Sequence, residues 1–196
     1  QTARNLYKLY IALTLAEILL LGFAGMPWFD AVCNSFATLA AGGFSPHGLS
    51  IMGYQSALVE WIIIFFMFVA GSSFTLQYIA LKQGPRAFAR DPEFKAYAGI
   101  VAVATLLVMV SLAQDPVRGW GEQTLRASLF QVGAILTTTG FATEDFAHWG
   151  DSGKIVLLGL MAIGGCAGSA GGGVKVVRSV LVAKYIWREF RRSLTR

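Results

Sequence analysis

The sequence predicts an all-α membrane protein made of two tandem units, each a spanning helix, a re-entrant helix, a glycine turn and a second spanning helix. Three observations predict it. Of the 196 residues 55% are hydrophobic and 14% charged, against about 25% charged in a soluble domain, so the chain belongs in a bilayer. Its apolar segments come in two lengths, one able to cross a hydrocarbon layer of about 30 Å and one too short to do so. The pattern is also duplicated. At an offset of 97 residues, Ala37, Leu39, Gly43, Phe44, Gly53, Ala70, Gly71 and Ser72 fall without a gap on Ala134, Leu136, Gly140, Phe141, Gly150, Ala167, Gly168 and Ser169. Internal duplication of this length points to pseudosymmetry, with a site on the repeat axis.

Residues 6–23 are nearly unbroken apolar and long enough, at about 1.5 Å per residue, to form the first span. Glu17 lies inside it, and an intramembrane carboxylate faces the protein interior, so a hydrogen bond to a re-entrant helix is expected there. Pro27 stands just before residues 28–41, a segment of re-entrant length. Residues 42–53 climb back to the surface, and 57–81 supply a second span interrupted at Gly71-Ser72-Ser73, by close helix packing or by a functional bend. The mixed-charge stretch 82–95 reads as a cytoplasmic linker between a first unit, 1–81, and a second, 96–196. The second unit follows the same script. A span covers 98–113, a loop 114–121, a re-entrant helix 122–136 and the turn 137–143, and after an ascent over 146–153 the last span begins at 155–163.

The two turns carry the chemistry. Ala41-Gly42-Gly43-Phe44 and Thr138-Thr139-Gly140-Phe141 each close a short apolar helix with a glycine that can adopt positive φ, so successive backbone carbonyls can face inward and replace the water around a cation. After the second turn, the last span is broken by Gly164, Gly165, Gly168, Gly171, Gly172 and Gly173 within ten residues. At about 1 kcal/mol each relative to alanine, these forfeit on the order of 6 kcal/mol of helix propensity. Irregular backbone at mid-membrane depth is tolerated only against a cavity or inside protein, so the segment is expected to hang beneath the pore.

Eleven basic residues, from Arg4 to Arg196, lie at the expected inner ends, against Arg118, Arg126 and Lys154 outside, which places both termini in the cytoplasm. The outer segments hold Asp30, Asp115, Glu122, Glu144, Asp145 and Asp151, either a mouth that concentrates cations or an ordinary solvated acidic surface. Cys33 and Cys166 have no second Cys or His at ligand spacing, which leaves disulfide and zinc readings without support. Gly168 to Lys175 only mimics a phosphate-binding loop, because Val174 separates glycine from lysine and no Ser or Thr follows. His47 and His148 do not occupy equivalent repeat positions and read as interfacial polar residues. The chain opens on Gln1 without the pattern of a signal peptide, from which a fragment is expected.

The runs NSFATLAAGGFS and TTTGFAT, followed by GGCAGSAGGGVK, resemble the central repeats of the Trk/Ktr family of potassium transporters, in particular its bacterial TrkH type. The resemblance covers essentially the whole chain. It implies a pseudo-fourfold, potassium-channel-like pore in the inner membrane, with Ala41 to Phe44 and Thr138 to Phe141 as filter segments holding K+ by backbone carbonyls. It implies that Gly164, Gly165, Gly168, Ser169, Gly171, Gly172, Gly173 and Lys175 form a gate, Lys175 being alternatively an inner-leaflet anchor. Two units stand here where the family has four. The implied partners are membrane lipid, a second copy of the full-length pore protein and a cytoplasmic ring of nucleotide-binding regulators, with no nucleic acid, no enzymatic chemistry and no cofactor besides the transported K+. The competing reading is a secondary transporter whose broken helices bind substrate or coupling ion at the midplane.

Overall fold

The computed structural model describes residues 2–114 and 118–194. Asp115 and Arg196 lie outside them. Among the described residues nine α-helices follow in order: α1 Thr2–Phe23, α2 Trp28–Leu39, α3 Ala57–Gly71, α4 Phe74–Gln83, α5 Arg86–Arg90, α6 Pro92–Ala113, α7 Glu122–Leu136, α8 Asp151–Met161 and α9 Val176–Leu194, with short 3-10 turns at Ser50–Tyr54 and Phe146–His148.

Local chemistry sets the helix starts. Pro27 precedes α2 with its φ already at −52°, and Ser56 caps α3 by accepting the Val59 N–H. Asp91 caps α6, its Oδ1 accepting the Phe94 N–H at 2.7 Å, with Pro92 in the first helical position, where a missing N–H costs nothing. That cap starts α6 six residues ahead of the apolar run at 98, and α5 occupies part of the polar stretch before it.

Among the described residues, two helices are long and apolar enough to cross a membrane, Ala3–Phe23 and Pro92–Ala113. The second span is broken at its expected interruption, Gly71-Ser72-Ser73, and of the two readings there it is the bend, since α3 and α4 meet at 97°. Ser73 accepts the Leu76 N–H and so starts a new helix rather than continuing the old one. The expected last span is likewise divided. With 11 residues, α8 reaches only about 17 Å, and the glycine run separates it from α9.

The second re-entrant helix, α7, is the wedge that joins the units. Phe130 and Ala134 pack into a core with Leu21, Met26, Ile63, Met67 and Phe141. Val132 and Leu136, on its other side, pack with Tyr97, Val101, Val108, Leu157 and Cys166. One helix thereby holds the first unit's α3 on one face and the second unit's α6 and α8 on the other, and its C-terminal turn has a fixed place between them.

Candidate filter turns and the glycine loop

The two turns are built alike. The Ala40 and Ala41 N–H groups donate to the Phe36 and Thr38 carbonyls at 3.0 and 3.1 Å, and 97 residues later Thr137 and Thr138 donate to Gly133 and Ile135 at 2.9 and 3.1 Å. Each chain then enters the left-handed region at equivalent positions, Ala41 at φ 53° and Thr138 at φ 59°, and again at Gly43 and Gly140, at 69° and 83°. For an L-residue this conformation costs roughly 1–2 kcal/mol, and a β-branched residue is rare there. Glycine at the second position avoids that cost.

Neighbouring geometry separates the two glycines. A β-carbon on Gly43 would overlap the Thr139 carbonyl oxygen, whereas nothing lies within 4 Å of the corresponding point on Gly140. The first turn therefore packs on the backbone of the second, and the segments beyond are also tied. The Met52 N–H donates to the Ala142 carbonyl at 3.1 Å, and the Ala142 N–H to Ser50 Oγ at 3.3 Å. Gly42 and Thr139, the unequal pair, differ in surroundings. Thr139 is buried with its hydroxyl 2.7 Å from that of Thr137. Phe141 is buried in the core while Phe44 is 83% exposed.

The glycine run forms a loop over residues 162–175 that meets three other elements. Internally, Gly164 N–H donates to the Val174 carbonyl at 2.9 Å and Val176 N–H to the Gly165 carbonyl at 3.2 Å. Against the α3–α4 break, Cys166 N–H donates to the Gly71 carbonyl at 2.9 Å, Ala170 N–H to that of Ala70 at 3.3 Å, and Phe74 N–H to that of Gly168 at 3.1 Å. Gln77 Nε2 completes the break by donating to the Val69 carbonyl at 2.8 Å and to Ser72 Oγ at 2.9 Å. The two interruptions therefore satisfy each other's backbone, as irregular chain inside a membrane must. They are the equivalent Ala-Gly-Ser triplets 70–72 and 167–169. The repeat was visible in the sequence, but the pairing of its halves was not.

The loop also touches the second turn. Gly172 N–H donates to Thr138 Oγ1 at 2.6 Å, and a β-carbon on Gly171 would stand 2.7 Å from the Thr137 carbonyl oxygen. Lys175 is half-buried, and its ammonium donates to the Gly171 carbonyl. Glu93, which sequence reasoning did not single out, reaches the loop from the first turn of α6, where Oε1 accepts the Ala167 N–H at 2.6 Å. A glutamate in a mixed-charge stretch gives no sign of such a contact.

Glu17 is fully buried on α1. Thr38 of α2 is its polar neighbour, but the Thr38 hydroxyl donates to the Asn34 carbonyl at 2.8 Å, and neither Glu17 oxygen has a hydrogen-bond partner among the described residues. Glu17 thus faces the re-entrant helix as expected, through Thr38, without a completed hydrogen bond to it. On the side that the charge pattern of the sequence assigns to the outer face, each of the three basic residues meets an acid: Arg118 pairs with Glu144 at 2.6 Å, Arg126 with Glu60 at 2.6 Å and also with Glu122, and Lys154 lies 3.8 Å from Asp151. Hydrogen bonds from Arg126 and then Trp61 hold the Glu122 carboxyl below its ordinary range. Much of the outer acidic charge is thus compensated locally.

Two short helices that end in matched turns inside a bundle of longer apolar ones define a membrane protein of the re-entrant-helix class. The chain belongs to the TrkH family of cation transport proteins, whose pattern it matches over residues 1–195. It is 38% identical over 193 residues to the Trk system potassium uptake protein TrkH of Salmonella typhimurium, covering 98% of this chain and 40% of that protein. To the Trk system potassium uptake protein TrkG of Escherichia coli it is 33% identical over 187 residues, covering 93% and 38%. The crystal structure of the potassium transporter TrkH from Vibrio parahaemolyticus superposes with a TM-score of 0.93 at 36% identity, over 98% of this chain and 42% of that one. The chain spans about two fifths of the length of these relatives.

Proposed function

We propose that this chain supplies two pore units of a potassium uptake protein of the inner membrane, with both of its termini cytoplasmic. K+ is held by backbone carbonyls of Ala41, Gly42, Gly43 and Phe44 in one unit and Thr138, Thr139, Gly140 and Phe141 in the other, and the loop carrying Gly164 to Lys175 opens and closes the path beneath them. The observation that carries this reading is the matched backbone of the two turns, left-handed at 41 and 138 and again at 43 and 140. A carbonyl filter requires such a repeated backbone and places little demand on side chains. The relatives named for potassium uptake support the choice of ion.

A ring of four such units would surround the ion. In support, the first unit packs on the second through Gly43 and Thr139, while the corresponding side of Gly140 is open and the Phe44 ring lies exposed where Phe141 is buried. The full-length protein would pair with a second copy, sit among membrane lipids and dock on cytoplasmic nucleotide-binding regulators through its basic inner segments.

Gly140→Ser tests the filter. The substitution puts a side chain on a left-handed residue with open space beside it, so the protein should insert normally while its K+-over-Na+ preference falls several-fold in flux assays of the full-length protein with both cations. An unchanged preference in a well-expressed variant would remove the filter assignment.

A further inference from the structure

We propose that Glu93 is the positioning residue of the glycine loop, a carboxylate latch that holds the loop against the second turn from outside the loop itself. Oε1 accepts two N–H groups from different parts of the chain, Ala167 at 2.6 Å and Val177 at 3.3 Å. Ala167 lies in the middle of the loop and Val177 in the first turn of α9. A single oxygen therefore closes the segment 167–177.

The chemistry at each end suits a carboxylate. The opening N–H groups of a helix have no partner within it and carry partial positive charge, so an acceptor with full negative charge is favoured at the start of α9. Bonds from N–H to carboxylate are also stronger than neutral ones. The loop's remaining ties to other elements are backbone pairs with residues 70–74 and the neutral bond to Thr138. Glu93 provides the one charged side-chain acceptor that reaches the loop's N–H groups from outside it among the described residues.

Its position also links the loop to the inner surface. Glu93 is in the first turn of α6, two residues after the Asp91 cap, and α5 with Arg86 and Arg90 comes just before. A shift of this segment would draw the carboxylate away from Ala167 and Val177 together. Docking of a partner on the basic inner face could thus release the loop without touching it.

The latch rests on the reading of the loop as a gate, and the experiment separates the two. Glu93→Ala and Glu93→Gln are made in the full-length protein, reconstituted in liposomes and measured for K+ flux, K+-over-Na+ preference and amide hydrogen exchange. The alanine variant should raise flux without its regulator about tenfold, the effect of losing about one charge-assisted hydrogen bond, and should speed exchange across residues 164–177 while α7 stays protected and ion preference is unchanged. The glutamine variant keeps a neutral acceptor and should fall between alanine and the parent; because it preserves shape, it carries the test if the alanine variant does not insert. Unchanged exchange over 164–177 in the inserted variants would overturn the latch and leave the gate reading standing. Faster exchange without increased flux would show that Glu93 holds the loop but that the loop is not the gate.

Discussion

Thr138 is the residue at which the second turn and the glycine loop meet. It holds a left-handed backbone that a β-branched side chain disfavours, and strain of this kind persists where surrounding contacts over-determine it. Here the contact is its Oγ1, which accepts the Gly172 N–H. The first unit offers an internal control, because Ala41 adopts the same conformation with no hydroxyl. Thr138→Ala should therefore keep the turn and lose only the tie to the loop, raising flux a few-fold at unchanged ion preference, whereas Thr138→Ser should behave as the parent. Flux and preference measured on both variants check this; equal loss of preference in both would mean that the side chain shapes the filter itself. In sequence the threonine run marked a turn. That one of its hydroxyls faces the loop depends on α7 being wedged between two cores, which no local pattern encodes.

At the scale of elements, the interruptions in the two second helices are one structure. Residues 70–74 and 166–170 exchange three backbone hydrogen bonds, so each break supplies partners that the other needs. Deleting Gly168 to Gly172 removes the Gly168 and Ala170 members of that set and the bond to Thr138. The expected result is higher flux and weaker regulation with ion preference retained, since Gly43 keeps its packing on Thr139. Loss of flux in a correctly inserted protein would mean that the loop is a structural wall of the path. The shorter break at Gly71 reads in sequence as the lesser feature, with one glycine against six. In the fold, its carbonyl is an anchor for Cys166, so a change there should free the loop as well.

Across the whole molecule, charge is divided between faces. Arg118, Arg126 and Lys154 pair with acids at one end, and α9 carries Lys184, Arg188, Arg191 and Arg192 together with exposed Trp187 and Phe190 at the end that the charge pattern of the sequence assigns to the inner side. A surface of that kind suits docking of a regulator, and acidic lipid would attract the same charges. Neutralising Arg188, Arg191 and Arg192 should abolish co-purification of the full-length protein with a soluble nucleotide-binding partner in detergent, where lipid attraction is removed. Undiminished co-purification would move the docking surface elsewhere, with the basic residues of α5 as the next place to test.

The sequence by itself determined the class, the order of the long and re-entrant helices and the positions of both turns. Apolar length, proline and serine starts, and a gapless 97-residue repeat are local or periodic signals, legible wherever the bilayer and the backbone impose the same demand on every chain. It also marked the glycine run as unable to be helix. The tertiary structure decided what the irregular segments are for one another: that the second span bends by 97°, that Glu17 faces Thr38, that Gly43 rests on Thr139, and that Thr138, Gly71 and Glu93 converge on one loop. Those outcomes turn on backbone N–H and carbonyl groups, which every residue carries alike. Only the folded arrangement determines which of them meet.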